Sequence, residues 1–429
     1  MGGSFATAEG QLTCERLKYI LIGKVENLSD EYRASSNEHP ATSMNILAIG
    51  GCGAMGKATT RALIEMPVFD EVVIGDIDLQ AAQSFAEKLS SPKIRTRQVD
   101  VSDTSSVAKA TAGMDIVANL TLYEFNLPIM RACLQCRSHY LDLGGLYHTT
   151  NQQLKLHRDF LSINRLALLG MGASPGMTNI AAALGAQQLD EVKEIHIRTG
   201  TTGGGKGFGY SAKTVLDECT MNAMLFTEGE MQEMPPFSGR EKYRLREPIG
   251  EVEGFYSIHS ELATLPYQYP GIQEVSFRVA FSPRLVEMID ALLALRLTSN
   301  EKFSFRGMEI SPREFLDSHL MRLPKSEELT EQKAFCVEVI GINDGKPAQF
   351  NYEIVVPSHQ EWGLKAGSIW TGVPAAVAAG QIALGNYKAA GTVAPEAAFD
   401  PVMMGKELRE WGLDINEHEC TENVDFVSS

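Results

Sequence analysis

The chain has little positive charge. Its 429 residues include 38 lysines and arginines against 54 aspartates and glutamates, which gives a formal net charge of −16. No basic stripe interrupts this acidic balance, so we expect neither nucleic acid nor an anionic membrane surface as a partner. The sequence also has no apolar run long enough to cross a membrane, and its first residues lack the order of a secretory signal, which is basic and then apolar.

Cysteine is scarce as well. The seven cysteines are odd in number and lack the spacing of a disulfide framework, which indicates a reducing compartment, so we expect a cytoplasmic protein. Cys133, Cys136 and His139 have a spacing that resembles part of a zinc cluster, but no second pair completes four ligands. We therefore expect no metal site.

Residues 1–43 differ from the rest of the chain. They are polar apart from a short apolar patch from Leu17 to Ile22, and Met44 immediately precedes the first strand-like segment. We interpret them as a flexible extension or as the product of an upstream start codon, and the sequence leaves both alternatives open. No function is assigned to them.

The chain does contain a glycine pattern in a specific setting. The apolar segment from Met44 to Ile49 leads into Gly51-x-Gly53-x-x-Gly56, and a helical pattern follows. In a dinucleotide-binding turn the first glycine permits the tight turn, the second lets a pyrophosphate approach the backbone, and the third lets the helix pack on the strand. Ala54 and Met55 lie within this turn, so we expect them beside the phosphates, together with the three glycines.

An acidic residue follows at the spacing expected for ribose recognition. A second predicted strand, from Glu71 to Gly75, ends at Asp76, and the expected spacing after the glycines is about 20 residues. The carboxylate would accept hydrogen bonds from the adenosine ribose hydroxyls and repel the 2′-phosphate of NADP. No lysine or arginine follows before Lys88, so we expect NAD rather than NADP as the cofactor.

Strand and helix patterns alternate from residue 44 to about residue 171. This alternation predicts an α/β fold with a Rossmann-type, doubly wound parallel sheet. Ligands of such sheets bind at the carboxyl ends of the strands. The residues that we predict at these ends, and expect near the cofactor, are Asp100, Val101, Asn119 and Gly144.

A second glycine-containing turn follows the sixth predicted strand, at Gly172-Ala-Ser174-Pro175-Gly176. Ser174 is a good N-cap and Pro175 a good first residue for the next helix. We expect this turn at the same edge of the sheet as the first. Ser174, Pro175 and Gly176 are then either cofactor contacts or simply a well-capped helix start, and both interpretations stay open.

Beyond residue 176 the pattern changes to that of a second, α+β domain. A glycine-rich segment at 199–209 predicts a functional loop. The further predicted elements are a helix from Ser211 to about Phe226, strands from Gly254 to Ser260 and Val275 to Phe281, a helix from Pro283 to Leu295, and a hairpin of Phe335 to Ile342 and Phe350 to Val356 with an Asp344-Gly345 turn. We predict a Rossmann domain at 44–175, a substrate domain at 176–356, and C-terminal helices at 357–429 that return to the first domain.

The chain from Met44 to about Asn416 resembles the saccharopine dehydrogenase-like family, which includes saccharopine reductases, lysine 6-dehydrogenase and carboxynorspermidine dehydrogenase. The stretches that carry the resemblance are 51–56, 140–145, 172–179 and 371–374. The resemblance implies a Rossmann domain, a second domain for substrate binding and dimerisation, and a homodimer. It also implies oxidation of a C–N bond in an amino acid, or the reverse reductive amination.

Such chemistry requires a general base near the nicotinamide, because an amine releases hydride only when it is unprotonated. The candidates are Tyr123, His148, His259 and Glu261. The last two alternate along a predicted strand and so point the same way, and the glutamate could orient the histidine or raise its pKa. The candidate contacts to the substrate, including a substrate carboxylate, are Tyr210, Lys213 and Arg278.

The function that these features favour is NAD(P)-dependent oxidation at a C–N bond of a lysine-like or saccharopine-like amino acid, which is a small-molecule substrate. Two alternatives remain, because a fold does not by itself define a function. One is an amine transferase of the homospermidine synthase type, which retains NAD through its cycle. The other is a non-catalytic protein that senses a dinucleotide.

Overall fold

The structure is a computed structural model that describes residues 44–203, 211–323 and 328–420. The N-terminal extension, most of the predicted glycine-rich loop and Tyr210 lie outside the described residues. Two large sheets, of seven and nine strands, organise the described chain.

The first half of the chain alternates strands and helices, as predicted. Its elements are β1 (Met44–Ile49), α1 (Gly56–Glu65), β2 (Phe69–Asp76), α2 (Leu79–Leu89), β3 (Ile94–Gln98), α3 (Thr104–Thr111), β4 (Ile116–Asn119), α4 (Asn126–Cys136), β5 (His139–Asp142), α5 (Leu146–Leu154), α6 (His157–Ser162), β6 (Leu166–Leu168) and α7 (Met177–Ala186). Asp78 and Asp103 begin α2 and α3, where each carboxylate accepts a hydrogen bond from a backbone N–H of the first turn.

The second half is richer in strands. Its elements are β7 (Glu191–Thr202), α8 (Ala212–Thr220), β8 (Ala223–Thr227), β9 (Glu230–Met234), β10 (Glu241–Leu245), β11 (Gly250–Tyr256), α9 (Leu265–Gln268), β12 (Glu274–Ala280), α10 (Pro283–Ala294), β13 (Phe303–Phe305), β14 (Met308–Ile310), α11 (Pro312–Leu320), β15 (Gln332–Asn343), β16 (Lys346–Pro357), α12 (Ala366–Ala383), β17 (Gly391–Val393), α13 (Pro395–Ala398), α14 (Pro401–Glu410) and β18 (Asn416–Cys420).

The first sheet is parallel throughout and has the order β17-β6-β5-β4-β1-β2-β3. This order confirms the predicted Rossmann-type fold. The chain winds one way from β1 to β3 and the other way from β4 to β6, so the order reverses between β1 and β4. The glycine turn that follows β1 lies at this switch point, where ligands of doubly wound sheets bind.

The C-terminal part of the chain returns to the first sheet. β17 pairs with β6, and α12 packs against α1, where the Thr59 hydroxyl donates to the Gly372 carbonyl at 2.9 Å. A Cβ at Gly372 would lie 2.5 Å from the carbonyl oxygen of Met55, so a glycine is needed for this close approach. β18, in contrast, pairs with β16 of the second sheet, and the sequence did not predict that strand.

The second sheet is mixed, with the order β10-β11-β12-β7-β15-β16-β18 and with β8 and β9 attached at β12. The predicted hairpin is confirmed as β15 and β16, which turn at Asp344 (φ 50°) and Gly345 (φ 70°). One face of the sheet is apolar and buried by α7 and α12, and it includes Ile197, Phe277 and Val337. We call it the helix-facing side. The opposite face carries a polar network that includes Arg198 and Arg278.

Two predictions in this half are wrong in part. The helix expected from Ser211 to about Phe226 ends at Thr220, and the chain continues as strand β8, in which Phe226 pairs with Val275. The aromatic and apolar residues of this stretch are buried as an added strand of the sheet, a tertiary contact that overrides their helical pattern. The strand expected to reach Ser260 ends at Tyr256, and a 3₁₀ turn covers Ser260–Ala263.

The close packing of the first turn yields a stability prediction. A Cβ at Gly56 would lie 2.0 Å from the carbonyl oxygen of Gly50, so Gly56→Ala should lower the free energy of unfolding by about 3 kcal/mol. Gly405→Ala on helix α14 is the matched control. A Cβ at Gly405 would meet only Leu184, at an ordinary contact distance of 3.7 Å. This substitution should raise stability by up to about 1 kcal/mol. Urea denaturation measures both, and equal effects of the two substitutions would contradict the described turn.

Candidate active site at the edge of the first sheet

The first glycine turn exposes its backbone at the carboxyl end of β1. Gly50 has a φ of 78°, and its N–H donates to the Gly75 carbonyl at 2.7 Å. The left-handed position of the turn is therefore Gly50, which the sequence reasoning did not single out although two glycines stand side by side there. A Cβ on Gly51 would lie 2.9 Å from the Ala48 carbonyl oxygen, so the predicted role of Gly51 in the tight turn is also sterically sound.

The same turn leaves room for a phosphate. A Cβ on Gly53 would meet only the Gly50 carbonyl group, so its outer side is open, in contrast to Gly56. No side chain of the described residues caps α1, which begins beside Ala54 and Met55. The first N–H groups of that helix and its positive dipole end are thus available to an anion.

Asp76 lies beside this turn at the end of β2. Its Oδ2 accepts a hydrogen bond from the Cys52 thiol at 2.9 Å, and its Oδ1 accepts one from the Asp78 N–H at 3.2 Å. Burial and the bond to Asp76 raise the pKa of Cys52 to about 12, so the thiol remains a proton donor. A surface depression beyond Asp76 is lined in part by Ile77 and Gln98, and the adenine of a bound dinucleotide would lie there.

Two other predicted cofactor residues are already hydrogen-bonded within the protein. The Asp100 carboxylate accepts from the hydroxyl and the N–H of Ser102, which lower its pKa. The buried Asn119 donates to Asn126 and accepts from the Thr121 hydroxyl at 2.6 Å. These side chains shape the edge of the sheet. Their neighbour Val101 packs on the apolar core of the first domain.

The second glycine turn differs from the predicted helix start. α7 begins at Met177, with Gly176 (φ 126°) as its N-cap, and the Gly176 N–H donates to Asn179 Oδ1 at 2.9 Å. Ser174 and Pro175 precede the helix. The Ser174 hydroxyl donates to Glu261 at 2.7 Å. The capping prediction for Ser174 is therefore wrong, because a buried carboxylate far along the chain takes its hydroxyl.

The second domain contacts the first at this turn. Gly144 (φ 122°) packs so closely on Pro175 that a Cβ on Gly144 would lie 2.8 Å from the proline ring. The Gly144 N–H donates a hydrogen bond to the buried Asp142 carboxylate at 2.9 Å. The 3₁₀ turn of residues 260–263 docks beside them, where the Gly145 N–H donates to Ser260 Oγ at 3.2 Å. The 3₁₀ turn of residues 260–263 therefore lies at the carboxyl end of β5.

His259 and Glu261 come together at this contact. His259 Nδ1 lies 2.5 Å from Glu261 Oε2, while Oε1 of the same carboxylate accepts from the hydroxyls of Ser174 and Thr178 at 2.7 and 2.8 Å. The His259 ring stacks on Phe277, with 3.8 Å between ring centroids. The sequence correctly predicted that the two side chains meet, although an irregular turn and not a strand presents them.

Burial and charge shift the pKa values of His259 and Glu261 in opposite directions. Burial alone would lower the pKa of His259, but the charge and the hydrogen bond of Glu261 outweigh it, so that pKa is raised. Burial alone would raise the pKa of Glu261, but His259, Ser174 and Thr178 stabilise the carboxylate and lower it. The site thus favours an imidazolium beside a carboxylate.

A second polar cluster links the two domains. Tyr123 follows β4, and its hydroxyl donates to Asp217 Oδ2 at 2.8 Å. Arg313 contacts the other oxygen of the same carboxylate, Oδ1, at 2.6 Å. Lys213 lies 3.4 Å from both Asp217 and Glu124. Burial and the neighbouring Asp217 raise the pKa of Tyr123. The sequence reasoning missed Asp217 and Arg313, since only the tertiary fold brings α8 and α11 to the first domain.

The structure places the other candidates apart from His259. His148 is exposed on α5 and makes an edge-to-face ring contact with Tyr147. Arg278 follows Phe277 on β12, so its side chain lies on the opposite face of the sheet from the ring that His259 stacks on. There it contacts Glu241 and the Tyr256 hydroxyl, at 3.2 and 2.8 Å.

Three features of the site fit a dinucleotide. The turn at Gly53 is open, the start of α1 is uncapped, and a carboxylate ends β2. The residues that would hold the dinucleotide are Gly51, Gly53, Met55 and Asp76, at the switch point of the sheet. The fold and this site define a protein of the Rossmann-type, dinucleotide-binding class.

Comparison with known families identifies the group within that class. Residues 46–164 match the family described as saccharopine dehydrogenase NADP binding domain, and residues 172–413 match the saccharopine dehydrogenase C-terminal domain. The chain therefore belongs to the saccharopine dehydrogenase family, which confirms the resemblance in its sequence.

Two relatives match this chain over most of its length and over nearly all of their own. A carboxyaminopropylagmatine dehydrogenase of Synechocystis sp. is 25% identical over 389 residues, which cover 86% of this chain and 96% of that protein. A carboxynorspermidine synthase of Vibrio cholerae is 23% identical and covers 88% of this chain and 98% of its own length.

Among solved structures, apo saccharopine dehydrogenase (L-Glu forming) of Saccharomyces cerevisiae has the same fold, with a TM-score of 0.69 and 16% identity, covering 88% of this chain and all of that one. Homospermidine synthase of Legionella pneumophila in complex with NAD has a TM-score of 0.60 and 14% identity, covering 90% of this chain and 94% of that one. At these identities the likeness concerns the fold.

The described residues contain neither a metal-ligand cluster nor a membrane-spanning helix. No group of three or more His, Cys, Asp or Glu side chains within 44–203, 211–323 and 328–420 is arranged to hold a metal ion. Across the same ranges, no helix combines the length and the apolar character that a membrane span needs.

The His259–Glu261 pair yields a pH-dependent stability prediction. The raised pKa of His259 stabilises the fold below its ordinary value of 6.5, and this contribution is lost as pH rises through the folded-state pKa. The lowered pKa of Glu261 stabilises the fold above 4.5, and that contribution is lost as pH falls through its folded-state pKa. Glu261→Gln should therefore destabilise most between these two ordinary values and less at alkaline pH.

Chemical denaturation at about pH 5.5, 7 and 9 measures this effect. The exposed Glu230 on β9 offers a matched control, because Glu230→Gln removes the same charge without touching the pair. A destabilisation by Glu261→Gln that grows toward alkaline pH would contradict the assigned protonation states.

Proposed function

We propose that the protein is an NAD-dependent oxidoreductase that forms or oxidises the secondary amine of a carboxylated polyamine. The observation that carries this proposal is the buried His259–Glu261 pair, which the second domain presents at the carboxyl edge of the dinucleotide-binding sheet. A protein that only senses a dinucleotide needs no proton-transferring pair at that place. The proposal replaces the lysine-like or saccharopine-like substrate that the sequence favours with the class that the names of the two relatives describe.

The pair suits proton transfer at a C–N bond. A bound nicotinamide supplies hydride transfer to or from the carbon next to nitrogen. His259 would exchange a proton with the nitrogen, and Glu261 would hold the ring and stabilise its charged form. Because the pKa of His259 is raised, the ring would donate a proton when the amine forms and accept one when the amine is oxidised. Glu261 acts through His259 and is a positioning residue.

The charge of the site supports a polyamine. Glu218 is a buried carboxylate of the second domain whose charge acts on His259, and the whole chain is strongly acidic. Carboxylates of this kind attract ammonium groups. The names of the two relatives, carboxyaminopropylagmatine dehydrogenase and carboxynorspermidine synthase, describe carboxylated amines of the same class.

Activity is tested by following NADH absorbance with purified protein and a panel of carboxynorspermidine, saccharopine and lysine. We expect the highest kcat/KM with carboxynorspermidine. His259→Gln should lower kcat by about 10²- to 10⁴-fold, the usual effect of losing a general acid or base, while His148→Gln, an exposed histidine on α5, should leave it unchanged. If none of these amines changes the absorbance, the oxidoreductase proposal is rejected in favour of an amine transferase or a sensor.

Asp76 supports NAD over NADP as the cofactor. Its carboxylate stands where ribose hydroxyls are recognised, and Asp78 adds a second negative charge beside it. Asp76→Ala should weaken NAD binding by about 10- to 100-fold, since one or two charge-assisted hydrogen bonds are lost, and should weaken NADP binding less. Titration calorimetry measures both affinities, with Asp70→Ala at the other end of β2 as the control. An equal loss for both cofactors would refute the assignment.

A further inference from the structure

A small hairpin stands apart from the two large sheets. Its strands β13 and β14 pair Phe303 with Ile310 and Phe305 with Met308, and within the described ranges they pair with no other strand. They are joined by a two-residue turn at Arg306-Gly307, where both residues have a positive φ. The sequence did not predict these strands, which are only three residues long.

One face of this hairpin is apolar and exposed. Side chains that lie directly opposite each other in an antiparallel pair share a face, so Phe303, Phe305, Met308 and Ile310 lie together. The two phenylalanines are each 47% exposed and Met308 is 59% exposed. A hairpin of two strands is only marginally stable by itself. A partner that covers this face would remove its apolar area from water and stabilise the hairpin.

The helices before and after the hairpin add to its exposed apolar surface. Among the described residues, eight of the thirteen large apolar side chains that are exposed belong to the segment 283–323. A concentration of this kind marks a contact with another protein, because apolar side chains scattered singly are the normal state of a surface. Interfaces are also enriched in phenylalanine, methionine and arginine. The helical members are Met288, Leu295, Phe315 and Met321, with Leu323 following α11.

The charge of this region favours a second copy of the chain as the partner. Residues 283–323 contain six basic and six acidic side chains and so have no net charge, although the whole chain carries −16. Two such acidic chains repel each other over most of their surface. The repulsion is weakest where the charges balance, so the hairpin region is where two copies can approach.

The two ends of the hairpin are also complementary to each other. Arg306 lies at the turn, while Glu301, which contacts Arg296 at 3.0 Å, is exposed beside the open end. A depression of about 200 Å³ at the open end is lined in part by Glu301, Phe303 and Pro312. When two hairpins meet about a two-fold axis in antiparallel orientation, the turn of each lies at the open end of the other. Arg306 of one copy then faces Glu301 and the depression of the second copy.

We propose that the protein forms a two-fold dimer in which the apolar faces of the β13–β14 hairpins pack against each other. The proposal assigns a surface to the homodimer that the family resemblance implies. α11 begins directly after the hairpin, and its Arg313 contacts Asp217 in the polar cluster between the two domains. The dimer would therefore hold the element next to that cluster.

Phe305→Glu tests the proposal by sedimentation equilibrium of the full chain. The wild-type protein should sediment with twice the mass of the chain. The substitution places one charge on each copy, so it enters a two-fold contact twice. Because a charge without a partner is costly to bury, the dissociation constant of the dimer should rise by at least about 100-fold.

Leu161→Glu is the matched control. Leu161 is an apolar side chain of similar exposure, 51%, on α6 of the first domain, and its substitution should leave the dimer unchanged. Circular dichroism establishes that both variants are folded. A wild-type monomer, a dimer that persists in Phe305→Glu, or equal dissociation of both variants would overturn the proposal.

Hydrogen exchange of the wild-type protein gives a second measurement that needs no substitution. Amides of residues 301–310 should exchange more slowly at concentrations above the dissociation constant of the dimer than below it, while those of α6 should not change. Protection of the hairpin at every concentration in a monomer would mean that residues 1–43 of the same chain cover it. No protection at any concentration would leave the face to a different kind of partner, and either result rejects the dimer.

This inference goes beyond the proposed function and does not depend on it. Sedimentation and hydrogen exchange require neither cofactor nor substrate. If no amine is oxidised while Phe305→Glu dissociates the dimer, the proposed function fails and the interface stands. If the protein oxidises carboxynorspermidine as a monomer, the interface fails and the proposed function stands.

Discussion

The site depends on one buried carboxylate. Glu261 accepts hydrogen bonds from Ser174, Thr178 and His259, and without them a carboxylate at this depth would cost several kcal/mol in lost hydration. Ser174 belongs to the turn that follows β6, Thr178 to the helix α7 that follows this turn, and His259 to the segment between β11 and β12. The same interaction that allows Glu261 to be charged therefore fixes His259 at the edge of the first sheet and favours its charged form.

Close backbone approaches provide the rest of the framework. Gly56, Gly172 and Gly372 each occupy a place where a Cβ would crowd another segment, and together they bring α1, the second turn and α12 against one another. Such contacts leave no room for a larger side chain, because protein interiors are packed as densely as crystals of small organic molecules. The polar clusters around Asp217 and Glu261 then join the two domains at defined points, and His259 is thereby held at the carboxyl edge of the first sheet.

The two faces of the second sheet divide the charged residues between different roles. Alternation along β12 sends Phe277 to the helix-facing side and Arg278 to the other. Along β15 the same rule directs Lys333 to the helix-facing side, where its ammonium donates to the Thr201 hydroxyl at 3.2 Å. The face of the sheet on which a charged residue lies is thus set by its position in the register and not by its residue type.

Much of this protein can be predicted from the sequence alone. The alternation of apolar patterns predicted the parallel sheet, and the glycines and Asp76 predicted a dinucleotide site at its edge, because these are local consequences of backbone geometry. The two-residue spacing of His259 and Glu261 predicted that they meet, although a turn and not a strand presents them. Only the tertiary structure decided that the Ser174 hydroxyl donates to Glu261 instead of capping a helix. The same holds for the pairing that makes β8 a strand and for the contact of Lys333 with the Trp370 ring. Each of these depends on contacts between residues far apart in the chain, whose energies outweigh local preference.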